Sequence, residues 1–141
     1  MTKPEYTDYV STRWYRAPEL LVGDVVYGPE VDVWAAGCLF AEIFNGMPLF
    51  PGDSDLHTLE IILSTMGNHL TKEHKIAFFN NQMYEGVRIP KAVEFDLLEQ
   101  KLEDMGETAL DLLRSTLFIP PTERSSASKC MDHPYFASFI E

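Results

Sequence analysis

The chain has 141 residues, 45% of them hydrophobic, and 22 acidic residues against 11 basic ones give a formal net charge of −11. This length is typical of one domain and is sufficient to bury a hydrophobic core. The acidic balance argues against nucleic acid or an anionic membrane as a partner, because binding either one needs a basic surface.

Several classes of site and location are disfavoured by composition. Cys38 and Cys130 are too few for a disulfide framework or a zinc site, and the four histidines lack metal-ligand spacing, so no metal site is predicted. The N-terminus has no apolar segment typical of a signal peptide, and the longest nearly apolar run, 33–44, is too short to span a bilayer. The sequence predicts an intracellular protein of the cytoplasm, the nucleus or both.

Helical patterns dominate the chain. Residues 1–19 lack a sustained period and are predicted as a loop. The strongest helix signal runs from Pro29 to Asn45, and its apolar residues point in every direction, which is typical of a buried central helix. A second helix is predicted after a cap at Asp53 or Ser54 and ends at Gly67.

The remainder is predicted as irregular over 68–106, with one short helix near 71–79. A helix is then predicted over 107–118, broken by Pro120 and Pro121. A further helix is predicted over 125–132, ended by Pro134. Few stretches alternate in the manner of strands, so the predicted fold class is mainly α.

One stretch combines two phosphorylatable hydroxyls, two arginines and an Ala-Pro-Glu sequence: TDYVSTRWYRAPE, residues 7–19. A phosphoryl group adds close to two negative charges, and guanidinium groups can order a loop around it. Arg13 and Arg16 follow Tyr9 closely enough that a loop folding back would bring both to phosphates on Thr7 or Tyr9. The alternative is a pair of solvent-facing arginines in an unstructured tail.

Three charged residues, Asp32, Glu19 and Arg124, can each be interpreted as having a local role or a long-range one. Asp32 lies near the start of the apolar helix. In the local interpretation its carboxylate interacts favourably with the positive end of the helix dipole. In the long-range interpretation it accepts hydrogen bonds from another buried backbone segment. Nothing in the spacing links Glu19 with Arg124, so the sequence alone favours two exposed charges.

The 7–19 stretch resembles the activation segment of eukaryotic protein kinases, and WYRAPE (14–19) with PLFPG (48–52) is similar to the group of cyclin-dependent and mitogen-activated kinases. Further segments resemble the cyclin-dependent-kinase-like family: YTDYV (6–10), ELLVGD (19–24), YGP (27–29), VDVWA (31–35), GVRIP (86–90) and HPYF (133–136). The resemblance covers essentially all of 1–141 but only about the C-terminal half of a kinase domain. It implies an activation segment over 1–19 and a helical C-terminal lobe over 20–141, with the N-terminal lobe absent.

The resemblance implies roles for individual residues. Thr7 and Tyr9 match activating phosphorylation sites. Arg13 and Arg16 match arginines that order the loop around phosphotyrosine and shape the substrate-docking surface. Thr12 matches a threonine that contacts the catalytic aspartate.

Four further residues match structural positions of the family. Asp32 matches the acid that anchors the backbone of the catalytic loop, and Trp34 belongs to the same VDVWA motif. Glu19 matches the acid that pairs with a late arginine, here Arg124. The chain departs from the family at Pro120, where an aspartate is usual.

The resemblance implies that the parent protein transfers the γ-phosphoryl group of ATP, with Mg, to Ser or Thr of protein substrates. No Gly-x-Gly, His-Arg-Asp or Asp-Phe-Gly occurs in the chain, and these motifs supply the nucleotide, base and metal sites of kinases. The segment alone is therefore expected to contain no catalytic residue, to bind neither ATP nor metal and to be inactive. Expected partners are an upstream activating kinase and a cyclin-like or scaffold protein. The alternatives are a non-catalytic interaction module that keeps the docking surface, and an unrelated α-helical domain.

Overall fold

The computed structural model describes residues 13–24, 26–91 and 97–139. Within those ranges the chain forms helices and turns and no β-strand, so the predicted mainly α fold class is confirmed. Short 3₁₀ turns at Gln82–Tyr84, Glu103–Met105, Pro121–Glu123 and Pro134–Phe139 connect or follow the α-helices. The α-helices are α1 (Pro18–Leu21), α2 (Glu30–Asn45), α3 (Asp55–Met66), α4 (Lys72–Asn80), α5 (Leu98–Lys101), α6 (Glu107–Thr116) and α7 (Ala127–Met131).

Helix α2 is the longest, and it is buried on one face only. Trp34, Cys38 and Ala41 are at most 1% exposed, and they share their face with the buried Gly37. Apolar side chains on another face are exposed, with Ile43 at 80%. The prediction of burial all round was therefore wrong for the described residues, because the neighbouring helices cover only one side of α2.

The approach of α2 to α6 depends on Gly37. A side-chain methylene at this position would collide with Thr116 and Leu117 of the α6 end. Since protein interiors are close-packed, replacing the glycine would force the two helices apart. This contact joins the middle of the chain to its C-terminal part.

The ends of α3 and α4 follow the capping rules. Ser54 accepts a hydrogen bond from the backbone N–H of His57 at 3.0 Å and begins α3. Thr71 begins α4 in a reciprocal capping box with His74. Of the two cap candidates for α3, the structure uses Ser54.

Other boundaries differ from the predictions. The expected loop over 1–19 is interrupted at its end, because α1 begins at Pro18, where a proline fits the first turn of a helix. Helix α5 lies in the range expected to be irregular, and α6 and α7 are shorter than predicted. No helix among the described residues is long and apolar enough to cross a membrane.

Candidate functional site

The centre of the site is an ion pair between α1 and the loop before α7. The two terminal nitrogens of Arg124 donate to the two carboxylate oxygens of Glu19, each at 2.7 Å. Both residues are buried, Glu19 to 2% and Arg124 to 7% exposure. The sequence-only reading of two exposed charges was wrong, and the structure brings the two residues together.

Backbone carbonyls complete the hydrogen bonding of Arg124. Its Nε donates to the carbonyl of Phe118 at 2.7 Å, and its remaining terminal donors reach the carbonyls of Glu30 (3.0 Å) and Ile119 (2.9 Å). A guanidinium group has five N–H donors, and all five are thereby used. All the hydrogen-bond donors of the Arg124 side chain are therefore paired, although Pro120 stands where an aspartate is usual in the family.

Trp34 supports the same pair from α2. The guanidinium carbon of Arg124 lies 5.2 Å from the centroid of the Trp34 ring, within the range of a cation–π contact. Trp34 also stacks with Phe50 at 5.8 Å between ring centroids. Trp34 therefore links the buried ion pair to the hydrophobic core.

His74 of α4 adds a polar neighbour to Glu19. Its Nε2 lies 3.8 Å from Oε1 of Glu19, and its Nδ1 accepts the backbone N–H of Thr71 at 3.2 Å. Burial alone would raise the pKa of Glu19, but the hydrogen bonds and the charge of Arg124, together with the nearby ring of His74, outweigh it. The pKa of Glu19 is thereby lowered from 4.5 to about 2.

A second set of contacts fixes residues 13–16 to the start of α3. Nε of Arg13 donates to Asp55 Oδ1 at 3.2 Å, and Nη1 of Arg16 donates to Asp55 Oδ2 at 3.3 Å. Arg13 Nη1 also donates to the carbonyl of Asp53 at 2.9 Å. The indole nitrogen of Trp14 donates to the carbonyl of Gly52 at 3.0 Å. The two arginines thus share one carboxylate on a neighbouring helix.

Between these two anchor points, Tyr15 binds α2. Its hydroxyl donates to Oε1 of Glu42 at 2.6 Å. Burial, this hydrogen bond and the charge of Glu42 together raise the pKa of Tyr15 to about 12. The phenol therefore stays protonated and continues to hold Glu42 at neutral pH.

Not every predicted residue joins this site. Asp32 lies exposed in the first turn of α2, and its side chain forms no hydrogen bond or ion pair with a described residue. Thr7, Tyr9 and Thr12 lie outside the described residues. The sequence reasoning did not identify Asp55, Glu42 or His74, since no spacing pattern connects residues on separate helices.

Among the residues that the structure describes, no cluster of three or more His, Cys, Asp or Glu side chains could hold a metal ion. The donors of Arg124 are all used by internal contacts, whereas Nε1 of Trp34 and Nε2 of His74 are buried and have no hydrogen-bond partner among the described residues. The arrangement holds residues 13–19 in a fixed path across α2, α3 and the loop before α7.

Comparisons with known proteins show which family the chain resembles. A family model described as protein kinase domain matches residues 1–136. The chain is 47% identical over 136 residues to cyclin-dependent kinase-like 4 of Mus musculus, covering 96% of this chain and 40% of that protein. It is 49% identical over 131 residues to cyclin-dependent kinase-like 2 of Pongo abelii, covering 93% and 26%.

A third relative, cyclin-dependent kinase-like 1 of Caenorhabditis elegans, is 45% identical over 139 residues, which are 99% of this chain and 39% of that protein. The chain therefore spans well under half the length of the curated relatives that it matches. With the family model covering nearly every residue, the chain belongs to the protein kinase domain family.

Proposed function

We propose that the chain is the part of a protein serine/threonine kinase that carries the activation segment, the substrate-docking loop and the helical scaffold of the C-terminal lobe. The parent protein transfers the γ-phosphoryl group of ATP to Ser or Thr of protein substrates. The observation that carries the proposal is the anchoring of residues 13–19 at both ends. Asp55 holds Arg13 and Arg16 at one end, and Arg124 holds Glu19 at the other.

Fixing a short segment at both ends has a direct use in phosphoryl transfer. Catalysis of this reaction depends mainly on positioning, so a rigid docking loop preserves the geometry of the acceptor hydroxyl. In this proposal Thr12 contacts the catalytic aspartate, and Arg13 and Arg16 order the loop around phosphates on Thr7 and Tyr9. An upstream kinase places those phosphates, and a cyclin-like or scaffold protein is a further partner.

The chain by itself is proposed to be inactive. Its sequence contains none of the motifs that hold MgATP or supply a catalytic base. Titration of the purified chain with MgATP by calorimetry, beside an intact protein kinase as positive control, tests this directly. We expect no heat of binding from the chain, and saturable binding at the affinity of the control would contradict the proposal.

The test of the kinase role uses the longest in-frame product of the transcript that encodes this chain. Glu19→Gln and Arg124→Lys should each reduce phosphorylation of a protein substrate by that product, because each breaks the buried pair. Glu99→Gln is the control, since this exposed carboxylate lies 3.9 Å from Arg114 in a loose surface pair. Equal activity of all three variants would contradict the role given to residues 13–19.

A second candidate function is a non-catalytic interaction module, which the exposed apolar face of α2 favours. Such surfaces are typical of protein interaction sites. Reading the 5′ end of the transcript distinguishes the two. An in-frame extension through a strand lysine, His-Arg-Asp and Asp-Phe-Gly supports the kinase, whereas a start at Met1 supports the interaction module.

A further inference from the structure

The two ring nitrogens of His74 have different surroundings. Nδ1 accepts the backbone N–H of Thr71 at 3.2 Å, which is one half of the capping box that begins α4. In a neutral imidazole one nitrogen accepts a hydrogen bond and the other carries the hydrogen. Because a backbone N–H can only donate, the neutral ring of His74 carries its hydrogen on Nε2.

Nε2 of His74 is a buried donor that faces a carboxylate. It has no hydrogen-bond partner among the described residues, and Oε1 of Glu19 lies 3.8 Å away. This distance is longer than a hydrogen bond, but the N–H dipole is still attracted to the negative charge. A buried donor without a partner costs free energy. A small shift of the ring toward Glu19 would give this donor its acceptor.

Two further side chains that follow α4 contact the same short helix, α1. Nδ2 of Asn81 donates to the carbonyl of Val22 at 3.1 Å, and the hydroxyl of Tyr84 donates to the carbonyl of Leu21 at 2.7 Å. These carbonyls lie at the last residue and the C-cap of α1, whereas His74 faces a side chain in its first turn. The segment that starts with α4 therefore contacts α1 from its first turn to its C-cap.

Histidine is an unusual choice at the third position of α4, where capping boxes typically carry Glu or Gln. A glutamate would also cap the helix and would suit the positive end of its dipole. It would, however, place a second carboxylate beside Glu19, and Arg124 has no donor left for it because all five are used. The histidine caps α4 without adding a negative charge at this point.

We propose that His74 is a positioning residue for Glu19: its neutral ring caps α4 through Nδ1 and presents the N–H of Nε2 to the Glu19 carboxylate. Arg124 holds this carboxylate from the loop before α7, and His74 supports it from α4. Two separate parts of the chain then fix the end of residues 13–19. The inference rests on the proposed function only in that residues 13–19 serve the docking of a protein substrate.

The test compares His74→Gln with His74→Glu, which have the same shape and can both serve the cap. They differ in the charge that they present to Glu19. Urea unfolding of the full chain, followed by circular dichroism, measures the folding equilibrium constant of each variant. We expect the constant of His74→Glu to be lower by about tenfold or more, because like charges about 4 Å apart repel strongly in a protein interior.

Lys75→Gln and Lys75→Glu are the matched controls, because Lys75 is an exposed residue of the same helix. Their folding constants should differ by less than about threefold, as is usual for surface substitutions. A role in capping alone predicts that His74→Glu is at least as stable as His74→Gln. That result would overturn the inference.

Burial of an extra charge would also penalise His74→Glu, so the comparison is repeated with Glu19→Gln in both variants. The new carboxylate then meets an amide and the charge of Arg124, and the difference between the variants should fall by about fivefold or more, as expected for coupled neighbours. An undiminished difference would overturn the inference. If a variant fails to fold, long-range ¹⁵N–¹H spectra of the wild-type chain give a second test. They should show hydrogen on Nε2 of His74 and none on Nδ1, and the reverse would contradict the proposal.

The longest in-frame product of the transcript separates this inference from the proposed function. If His74→Glu lowers phosphorylation of a protein substrate more than His74→Gln does, and Glu19→Gln lowers it too, both ideas are supported. If the stabilities follow the expected order but neither Glu19→Gln nor His74→Glu changes phosphorylation, the contact stands and the proposed function fails. If Glu19→Gln lowers phosphorylation and the two His74 variants are alike in stability and activity, only the role of His74 fails.

Discussion

The carboxylate of Glu19 and the guanidinium group of Arg124 form a buried two-point contact across 105 residues of sequence, with both N–O distances at 2.7 Å. The pair closes the chain on itself by joining α1 to the loop before α7. The three backbone carbonyls that also accept from Arg124 make this the most completely hydrogen-bonded side chain at the site. Two segments that are distant in the sequence are thereby joined by a buried charged contact.

Removing one member of this pair should be strongly destabilising. Arg124→Ala leaves the carboxylate of Glu19 buried without a counter-charge, which typically costs about 3–5 kcal/mol of unfolding free energy. Arg124→Lys should also destabilise, because an ammonium group cannot reproduce the five-donor arrangement. Urea denaturation followed by circular dichroism measures both.

The control for this prediction is Glu99→Gln. Its carboxylate is 67% exposed and 3.9 Å from Arg114, so the loss should be below about 1 kcal/mol. Similar losses in Arg124→Ala and Glu99→Gln would show that the buried pair contributes no more than a surface one.

Stability should fall with acid in a way that depends on Glu19. Because the folded-state pKa of about 2 lies below the ordinary 4.5, Glu19 contributes stability that is fully present above pH 4.5 and is lost as the pH falls toward 2. Glu19→Gln should remove this component, so its urea midpoint should change less than that of the wild type over this range. Parallel curves for the two proteins would contradict the assignment.

The helices could be predicted from local sequence signals, whereas the buried pair could not. Local signals placed α2, α3 and α4 to within a residue or two, because caps such as Ser54 and glycines such as Gly46 act on their own neighbourhood. The Glu19–Arg124 pair followed only from the family resemblance. No local pattern encodes a contact over that distance.

Asp55 shows why the rest of the site escaped prediction. Its separation from Arg13 and Arg16 is 42 and 39 residues, and the contact exists only because α3 packs beside residues 13–16. In the same way, the exposed face of α2 could not be deduced from its composition. A helix that is apolar all round predicts burial, and which side is covered depends on the elements that pack there.

The Tyr15–Glu42 contact predicts a measurable alkaline titration. Burial and the Glu42 hydrogen bond raise the pKa of Tyr15 to about 12 from 10, so the neutral phenol contributes stability that is present below pH 10 and lost as the pH rises toward 12. Glu42→Gln should lower this pKa, since it removes the negative charge beside the hydroxyl. Ultraviolet titration of tyrosinate, with Tyr15→Phe to assign the signal, gives the value.

Glu60→Gln is the control for that titration, because Glu60 is exposed on α3 and forms no contact with Tyr15. It should leave the Tyr15 signal in place. A shift of equal size in Glu42→Gln and Glu60→Gln would mean that total charge, and not the hydrogen-bonded contact, governs Tyr15.

The two cysteines should differ sharply in reactivity. Cys38 is 1% exposed, and burial raises the pKa of its thiol well above the ordinary value, so the reactive thiolate is scarce. Cys130 is partly exposed. In the native protein, iodoacetamide should modify Cys130 and spare Cys38, and in denaturant it should modify both, as mass spectrometry of the peptides reports. Native modification of Cys38 in the Cys130→Ser variant would show that α2 opens readily.

The exposed apolar face of α2 should make the isolated chain prone to association. Ile43 is 80% exposed and lies beside Phe44 at 46%, and Leu39 one turn earlier is 49% exposed. Contiguous apolar surface of this kind promotes self-association at concentrations where a fully covered fold stays monomeric. Ile43→Glu should therefore raise the concentration at which light scattering first increases.

Asn45→Glu adds the same charge at an exposed polar position of the same helix and is the matched control. An equal gain from both substitutions would attribute the effect to net charge, whereas a gain confined to Ile43→Glu assigns it to the apolar face.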